Sequence, residues 1–261
     1  MNAVATLAAP SVSLEVEGGV ALLTLDRPPL NILNTAMMKE LVRELATLRG
    51  VADLRCLLLR GAGKCFCAGV DVGEHEGPSA PVMLEAFHDV FKALQDLDVP
   101  VIAAVQGQAL GGGAELATFA DIPILAESAR LGFPEIRLGV FPPVAAAVLP
   151  FRIGAARTRD LLFTGRLVDA REAVAMGLAS RAVPDAELDP VARAMARDLA
   201  SLSASSLKIL RQALRVGEME SFRTTLQEEE CLYLGRLMKT ADAEEGLRAF
   251  LEKRKPVWRH R

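Results

Sequence analysis

Apolar residues recur along the chain with two different periods, and the change of period marks where strands give way to helices. Residues 12–16 and 20–25 are strand-like runs separated by Gly18 and Gly19, which suits a tight hairpin because glycine adopts positive φ without a steric penalty. Residues 35–48 then place Met38, Leu41, Leu45 and Leu48 at helical spacing, predicting a helix with one buried face. Residues 56–59 form a short apolar run ahead of Gly61 and fit a buried strand. Residues 80–97 gather Met83, Phe87, Val90, Phe91 and Leu94 on one helical face. A buried strand over 99–105, a helix over 111–120 opening on a glycine cluster, and a strand over 122–126 continue the alternation.

This recurring strand-helix order predicts an α/β chain with a largely parallel sheet layered with helices. Beyond about Gly154 the strand signal fades, and residues 155–163, 169–176, 190–202, 205–216 and 222–239 all read as helices. No internal repeat, low-complexity tract or long linker interrupts the chain. The expected organisation is a core domain over residues 1–195 and a helical C-terminal region over 196–261 that can supply an oligomer interface.

Composition narrows the classes. With 51% hydrophobic and 24% charged residues in 261, the chain can bury a substantial core. A net charge of −3, with basic residues scattered apart from short runs such as Lys253, Arg254 and Lys255, offers no nucleic-acid surface. Four cysteines, Cys56, Cys65, Cys67 and Cys231, follow no disulfide framework. Proline, glutamine and glycine break the apolar stretches before they reach membrane-spanning length. Residues 1–10 lack the charged start and apolar block of a secretory leader. The expectation is a cytoplasmic protein with ordinary buried thiols.

The most unusual local sequence runs from Gly107 to Glu115 and holds Gly111, Gly112 and Gly113 in a row. Three adjacent glycines clear side chains from the turn, so a ligand can approach the backbone closely. The free N–H groups of a first helical turn then favour negative charge. The same stretch equally suits a tight strand-to-helix turn that binds nothing. Neither the Gly-x-Gly-x-x-Gly spacing nor a following Gly-Lys-Ser/Thr is present, which leaves an oxyanion hole as the ligand-binding use. A second loop at 64–71 carries the small Ala68-Gly69 step, able to present another backbone N–H. Its Cys65 and Cys67 have no partner at ligand spacing, so no metal is expected.

Glu115 and Glu135 are the carboxylates nearest these loops. Glu115 sits in a first helical turn, where a carboxylate also complements the helix dipole for structural reasons. Glu135 follows Phe133 and Pro134 in a mainly apolar stretch that disfavours its charged form and suits it to proton transfer. Competing constellations are poor. His88 falls on a helix, His75 lies in an acidic loop with Glu74 and Glu76 and reads as solvated, and His260 is near the chain end. No Gly-x-Ser-x-Gly elbow places a serine nucleophile.

Taken together, these segments resemble the enoyl-CoA hydratase/isomerase (crotonase) family over nearly the whole chain. Asp26, Arg27 and Pro28 followed by Asn31, Ile32 and Leu33 look like that family's early strand-turn signature. Residues 66–71 are similar to its first oxyanion loop, 107–115 with Ala120 and Asp121 to its second, and 133–139 to its second glutamate segment. Residues 163–166 and 249–254 complete the order. The resemblance implies a crotonase-like spiral core of ββα units with a helical C-terminal region, assembled as a homotrimer or hexamer. It implies an acyl-CoA substrate, with coenzyme A part of that substrate and no metal, flavin or nicotinamide cofactor. In that family the N–H groups matching Val70 and Gly112 hold the thioester oxygen. Glutamates matching Glu115 and Glu135 hold one water, Glu115 acting mainly as its base and Glu135 as proton donor to carbon. Ala68, Gly69, Asp71 and Gly111 are expected at the substrate, and Lys253 is either near the CoA phosphates or a solvated helix end.

The segment from Val140 through Pro150 departs from the glycine-rich turn of short-chain hydratases. It is similar to the cyclohexa-1,5-diene-1-carbonyl-CoA hydratases of aromatic acid degradation. The expected activity is therefore addition of water to an enoyl- or dienoyl-CoA thioester. Small side chains from Ala145 to Ala147 either leave room for a ring or pack a helix against the sheet. The alternatives are a general short-chain hydratase or an isomerase, and, in a different class, a silent CoA-binding scaffold.

Overall fold

The computed structural model describes residues 10–259; His260 and most of the 1–10 segment lie outside the described residues. Strands β1 (Val12–Glu17) and β2 (Val20–Leu25) form the expected hairpin, with Val12 opposite Leu25 and Glu17 opposite Val20. Helix α1 (Thr35–Leu48) starts where Asn34 accepts the Met37 N–H at 2.9 Å, satisfying one of the donors a helix start leaves open. It buries Met37, Met38, Leu41, Leu45 and Leu48. Strand β3 (Cys56–Gly61), helix α2 (Ser79–Asp96), strands β4 (Val101–Val105) and β5 (Gln108–Leu110), helix α3 (Gly112–Phe119) and strands β6 (Ile122–Ala126) and β7 (Arg130–Gly132) follow. Then come helices α4 (Pro143–Ile153) and α5 (Ala155–Thr164), strand β8 (Leu167–Asp169), helix α6 (Ala170–Met176), strand β9 (Arg181–Val183) and helices α7 (Leu188–Ala200), α8 (Ala204–Gly235) and α9 (Ala241–Leu251).

Six strands form one sheet in the order β1-β2-β3-β4-β6-β9, parallel everywhere except the opening hairpin. Strand β4 is buried at every position and β3 at all but one, the signature of parallel strands covered on both faces. Helices α1 and α2 pair with one another, and α7 lies against β2, β3, β4 and β6. A separate three-stranded sheet, β5-β7-β8, sits beside the glycine turn.

Two expectations are corrected. Strand structure does continue beyond Gly154: β8 and β9 are three residues each, too short to show a period, and they form because β7 and β6 offer them edges with unpaired backbone groups. The two helices expected over 205–216 and 222–239 are one, α8, of 32 residues, followed by a short 3-10 turn. A single interior glycine costs about 1 kcal/mol relative to alanine, and tertiary anchoring outweighs it. Asp121, just past α3, accepts the Val101 N–H at 2.8 Å and the Arg211 Nε–H at 2.9 Å, with Arg215 at 3.4 Å. Burial lowers the Arg211 guanidinium pKa to about 10 despite that partner. The ion cluster ties α8 to the sheet. No helix among the described residues is long and apolar enough to cross a membrane.

Candidate active site

The first loop is held from behind by the early turn. Asn31 adopts φ +52, a conformation its short polar side chain tolerates. Its buried Nδ2 donates to the carbonyls of Cys65 at 2.8 Å, Ala62 at 3.0 Å and Phe66 at 3.2 Å. The loop is then stitched to the glycine turn: Phe66 N–H to Gln106 O at 2.9 Å, Cys67 N–H to Gln108 O at 3.1 Å and Leu110 N–H to Cys67 O at 3.1 Å. Such close approach needs glycine. A Cβ on Gly113 would stand 2.1 Å from the Cys67 carbonyl oxygen, and one on Gly107 equally close to that of Lys64.

This stitching leaves the Val70 and Gly112 amides available. Val70 forms a parallel bridge with Leu33 whose bonds are made by its neighbours, Leu33 N–H to Gly69 O at 2.9 Å and Asp71 N–H to Leu33 O at 2.8 Å. In that pattern the middle residue's own N–H points away from the partner strand. Gly112 is the first residue of α3, so its N–H has no acceptor within the helix. A Cβ on Gly112 would lie 2.7 Å from Val70 Cγ2, so the two amide-bearing residues are immediate neighbours. Both line a cavity of about 210 Å³, together with Ala68, Gly69, Gly111, Glu115 and Glu135.

The two carboxyls have different surroundings. Glu115 is 2% exposed, and its Oε1 accepts the Ala145 N–H at 2.7 Å. That donor belongs to the first turn of α4, opened by Pro143 at a position where proline sacrifices no hydrogen bond. Burial pushes the Glu115 pKa up to about 8, against the pull of the Ala145 and Val144 amides. Glu135 lies in a half-buried 3-10 turn (Pro134–Leu138), yet its Oε2 is enclosed and has no hydrogen-bond partner. Gly111, at φ +51, lets Glu135 Oε1 come within 2.7 Å of where a Cβ would be. Burial first, and then the nearby Glu115 charge, raises Glu135 well above the ordinary carboxylate range. Paired carboxyls whose environments differ in this way divide into one that ionises and one that keeps its proton.

Other expected residues sit elsewhere. Asp71 does not line the cavity; its side chain accepts the Gly73 N–H at 3.1 Å and faces Arg27 at 3.9 Å. Lys253 is exposed in the turn after α9 and does not line the cavity either. Ala145 and Ala147 are buried in helix packing, while Val140, Phe141, Pro142 and Pro143 face the cavity instead. His75 is half-buried at the cavity wall rather than solvated. Its Nδ1 lies 3.0 Å from the Asp71 carbonyl, and burial lowers its pKa. The loop carboxylate Glu74 turns away to bond Thr35 N–H and Oγ1 at 2.7 and 2.6 Å. Sequence reasoning missed Tyr233, which lines the cavity from α8. Its seven-residue spacing from Leu226 signals a buried face, and both are 2% exposed. Cys56, Cys65 and Cys67 are free buried thiols, and burial pushes Cys67 up to about 12. Among the described residues no cluster of His, Cys, Asp and Glu could hold a metal ion.

Residues 15–261 match the enoyl-CoA hydratase/isomerase family. The chain belongs to that family. It is similar to the cyclohexa-1,5-dienecarbonyl-CoA hydratase of Thauera aromatica, with 39% identity over 250 residues covering 96% of each chain. It is also similar to the short-chain-enoyl-CoA hydratase of Clostridium acetobutylicum, at 35% identity over 94% of this chain and 96% of the relative. A solved enoyl-CoA hydratase from Bacillus anthracis superposes with a TM-score of 0.77 at 34% identity, covering 96% of this chain and all of the other. One from Mycobacterium avium, at 24% identity, shares the fold with a TM-score of 0.86 over 95% and 98%. This member of the enoyl-CoA hydratase/isomerase family thus has the crotonase fold and is an enzyme of the enoyl-CoA hydratase type, a hydro-lyase.

Proposed function

We propose that this enzyme adds water to a conjugated enoyl-CoA thioester whose acyl group is a cyclic diene. The observation that carries the reaction is the unequal pair of carboxyls in one cavity: Glu115 bonded to a backbone amide, Glu135 enclosed with an unpartnered oxygen. The amide makes Glu115 the carboxyl of the pair that ionises first, as pH nears about 8, and so the base. Its charge in turn keeps Glu135 protonated, as the acid. The thioester oxygen accepts from the Val70 and Gly112 N–H groups, which stabilise the enolate formed as water attacks the β-carbon. Loss of one such donor typically costs about 3–4 kcal/mol. Glu115 takes one proton from the water, its oxygen bonds to the β-carbon, and Glu135 gives a proton to carbon. With a cyclic diene that proton goes to the far end of the extended dienolate. Adding water leaves the overall oxidation level unchanged, so the proposal includes no redox cofactor, and it assigns no metal.

The cyclic substrate is supported by the Thauera relative and by the cavity wall of Val140, Phe141, Pro142 and Pro143. The proposal extends to a role in aromatic acid degradation in the cytoplasm. Steady-state assays with crotonyl-CoA and cyclohexa-1,5-diene-1-carbonyl-CoA test it: faster turnover of crotonyl-CoA removes the ring and leaves a short-chain hydratase, the reading that the Clostridium relative supports. Double-bond migration that survives loss of one carboxylate would instead indicate an isomerase. The proposal also assigns residues 196–261 to assembly as a homotrimer or hexamer, supported by exposed Ile209, Leu210 and Leu214 on α8. Light scattering that gives a monomer would remove that part.

A further inference from the structure

Pro142 and Pro143 line the cavity and, lacking an N–H, bring no backbone donor to it. Among the described residues that line it, the polar side chains are His75, Glu115, Glu135 and Tyr233. Tyr233 is buried, with its ring edge-to-face on Phe141 at 5.4 Å between centroids. Among the described residues none is hydrogen-bonded to its hydroxyl, and the residue lines the cavity. Glu135 Oε2, on the same cavity, is buried and unpartnered. Two open polar groups on one cavity are costly unless a polar atom of the bound reactants satisfies them. Burial first, then the neighbouring Glu135 and Glu115 carboxyls, raise the phenol pKa, so it stays a neutral donor.

We infer that Tyr233 is a third polar residue of the reaction site, its hydroxyl donating a hydrogen bond to the oxygen of the water that adds to the double bond. This rests on the hydratase reading above. The phenol engages one lone pair of that oxygen and leaves the other to reach the β-carbon. In the reverse direction the same bond steadies the departing hydroxide. No proton leaves Tyr233: Glu115 receives the proton from water, and Glu135 supplies the one that carbon takes up. Phe141 fixes the ring and so positions the hydroxyl without touching the water.

The test compares Tyr233→Phe, which keeps the ring and its contact with Phe141, with Cys231→Ser, an exposed change on the same helix that keeps the hydroxyl. Hydration of crotonyl-CoA and of the cyclic dienoyl-CoA is followed with thermal melting. For the thioester that wild type hydrates, Tyr233→Phe is expected to lower kcat roughly tenfold to hundredfold with KM within about twofold and melting unchanged. Cys231→Ser is expected to keep kcat within about threefold. Unchanged kcat in Tyr233→Phe, a rise in KM alone, or an equal kcat loss in Cys231→Ser overturns the inference and leaves the hydratase reading standing. A wild-type enzyme that hydrates neither thioester overturns both.

Discussion

The two sides of the cavity are built by different means. On the loop side, Val70 and Gly112 present backbone, and their places are set by hydrogen bonds between residues 66–71 and 106–111 and by glycines with no room for a Cβ. On the wall side, Tyr233, Phe141 and Phe250 present side chains carried by α8, the turn before α4, and α9. A backbone site tolerates little change, since its atoms are common to every residue and its geometry rests on neighbours that must not grow. A side-chain wall can be rebuilt one residue at a time. The comparison teaches that holding the thioester oxygen belongs to the first side and acyl selectivity to the second, with Tyr233, assigned to the attacking water, the exception on that wall.

Removing the acid or the base breaks the chemistry on both sides at once and should have the largest effect. Glu115→Gln and Glu135→Gln are each expected to lower hydration by about 10²–10⁴-fold, measured as initial rates on an enoyl-CoA thioester. Glu115→Gln also carries a pH signature. Unfolded, the carboxyl ionises near the ordinary value of 4.5; folded, it does so only near about 8. Between these values the folded state keeps a proton that the unfolded state has lost, so stability falls as pH rises through the window and levels off above it. Wild-type melting temperature should therefore drop relative to Glu115→Gln from about pH 5 to about pH 8, and parallel curves would remove the buried-carboxyl account.

Next comes the loop side. Gly113→Ala sets a methyl against the Cys67 carbonyl and pushes the two oxyanion segments apart. Hydration should fall by about 10²–10³-fold with a lower melting temperature; full activity would show that the loops need no such contact. On the wall side Phe141→Ala should leave the oxyanion amides untouched and shift the ratio of cyclic to straight-chain kcat/KM by about tenfold. A uniform loss on both thioesters would erase the division between the two sides. Smallest is Lys253→Ala, at an exposed turn outside the cavity. If it meets the CoA phosphates, KM should rise about two- to fivefold at low salt and less at high salt.

How far the chain could be read in advance follows the same division. Helix α1 and strand β6 lie at the expected residues because the first keeps the helical period over its whole length and the second is an unbroken apolar run. The glycine turn was legible because three adjacent glycines are locally unusual. Strands β8 and β9 were not, because three residues carry no period and their pairing depends on edges formed far away in sequence. The role of Glu74 at Thr35 and the donation from Ala145 to Glu115 join residues 39 and 30 positions apart, and nothing local in either partner announces the other.

By itself, then, the sequence determined where backbone must turn tightly, which faces are apolar and which carboxyls lie near the glycines, because these are properties of neighbouring residues. Only the tertiary structure decided that Glu115 receives an amide while Glu135 keeps an unpartnered oxygen, that Ala145 and Ala147 lie in helix packing rather than at the cavity, and that Tyr233 joins the site. Each of these depends on which chain-distant groups exclude water from one another, and burial of that kind exists only after the helices have packed.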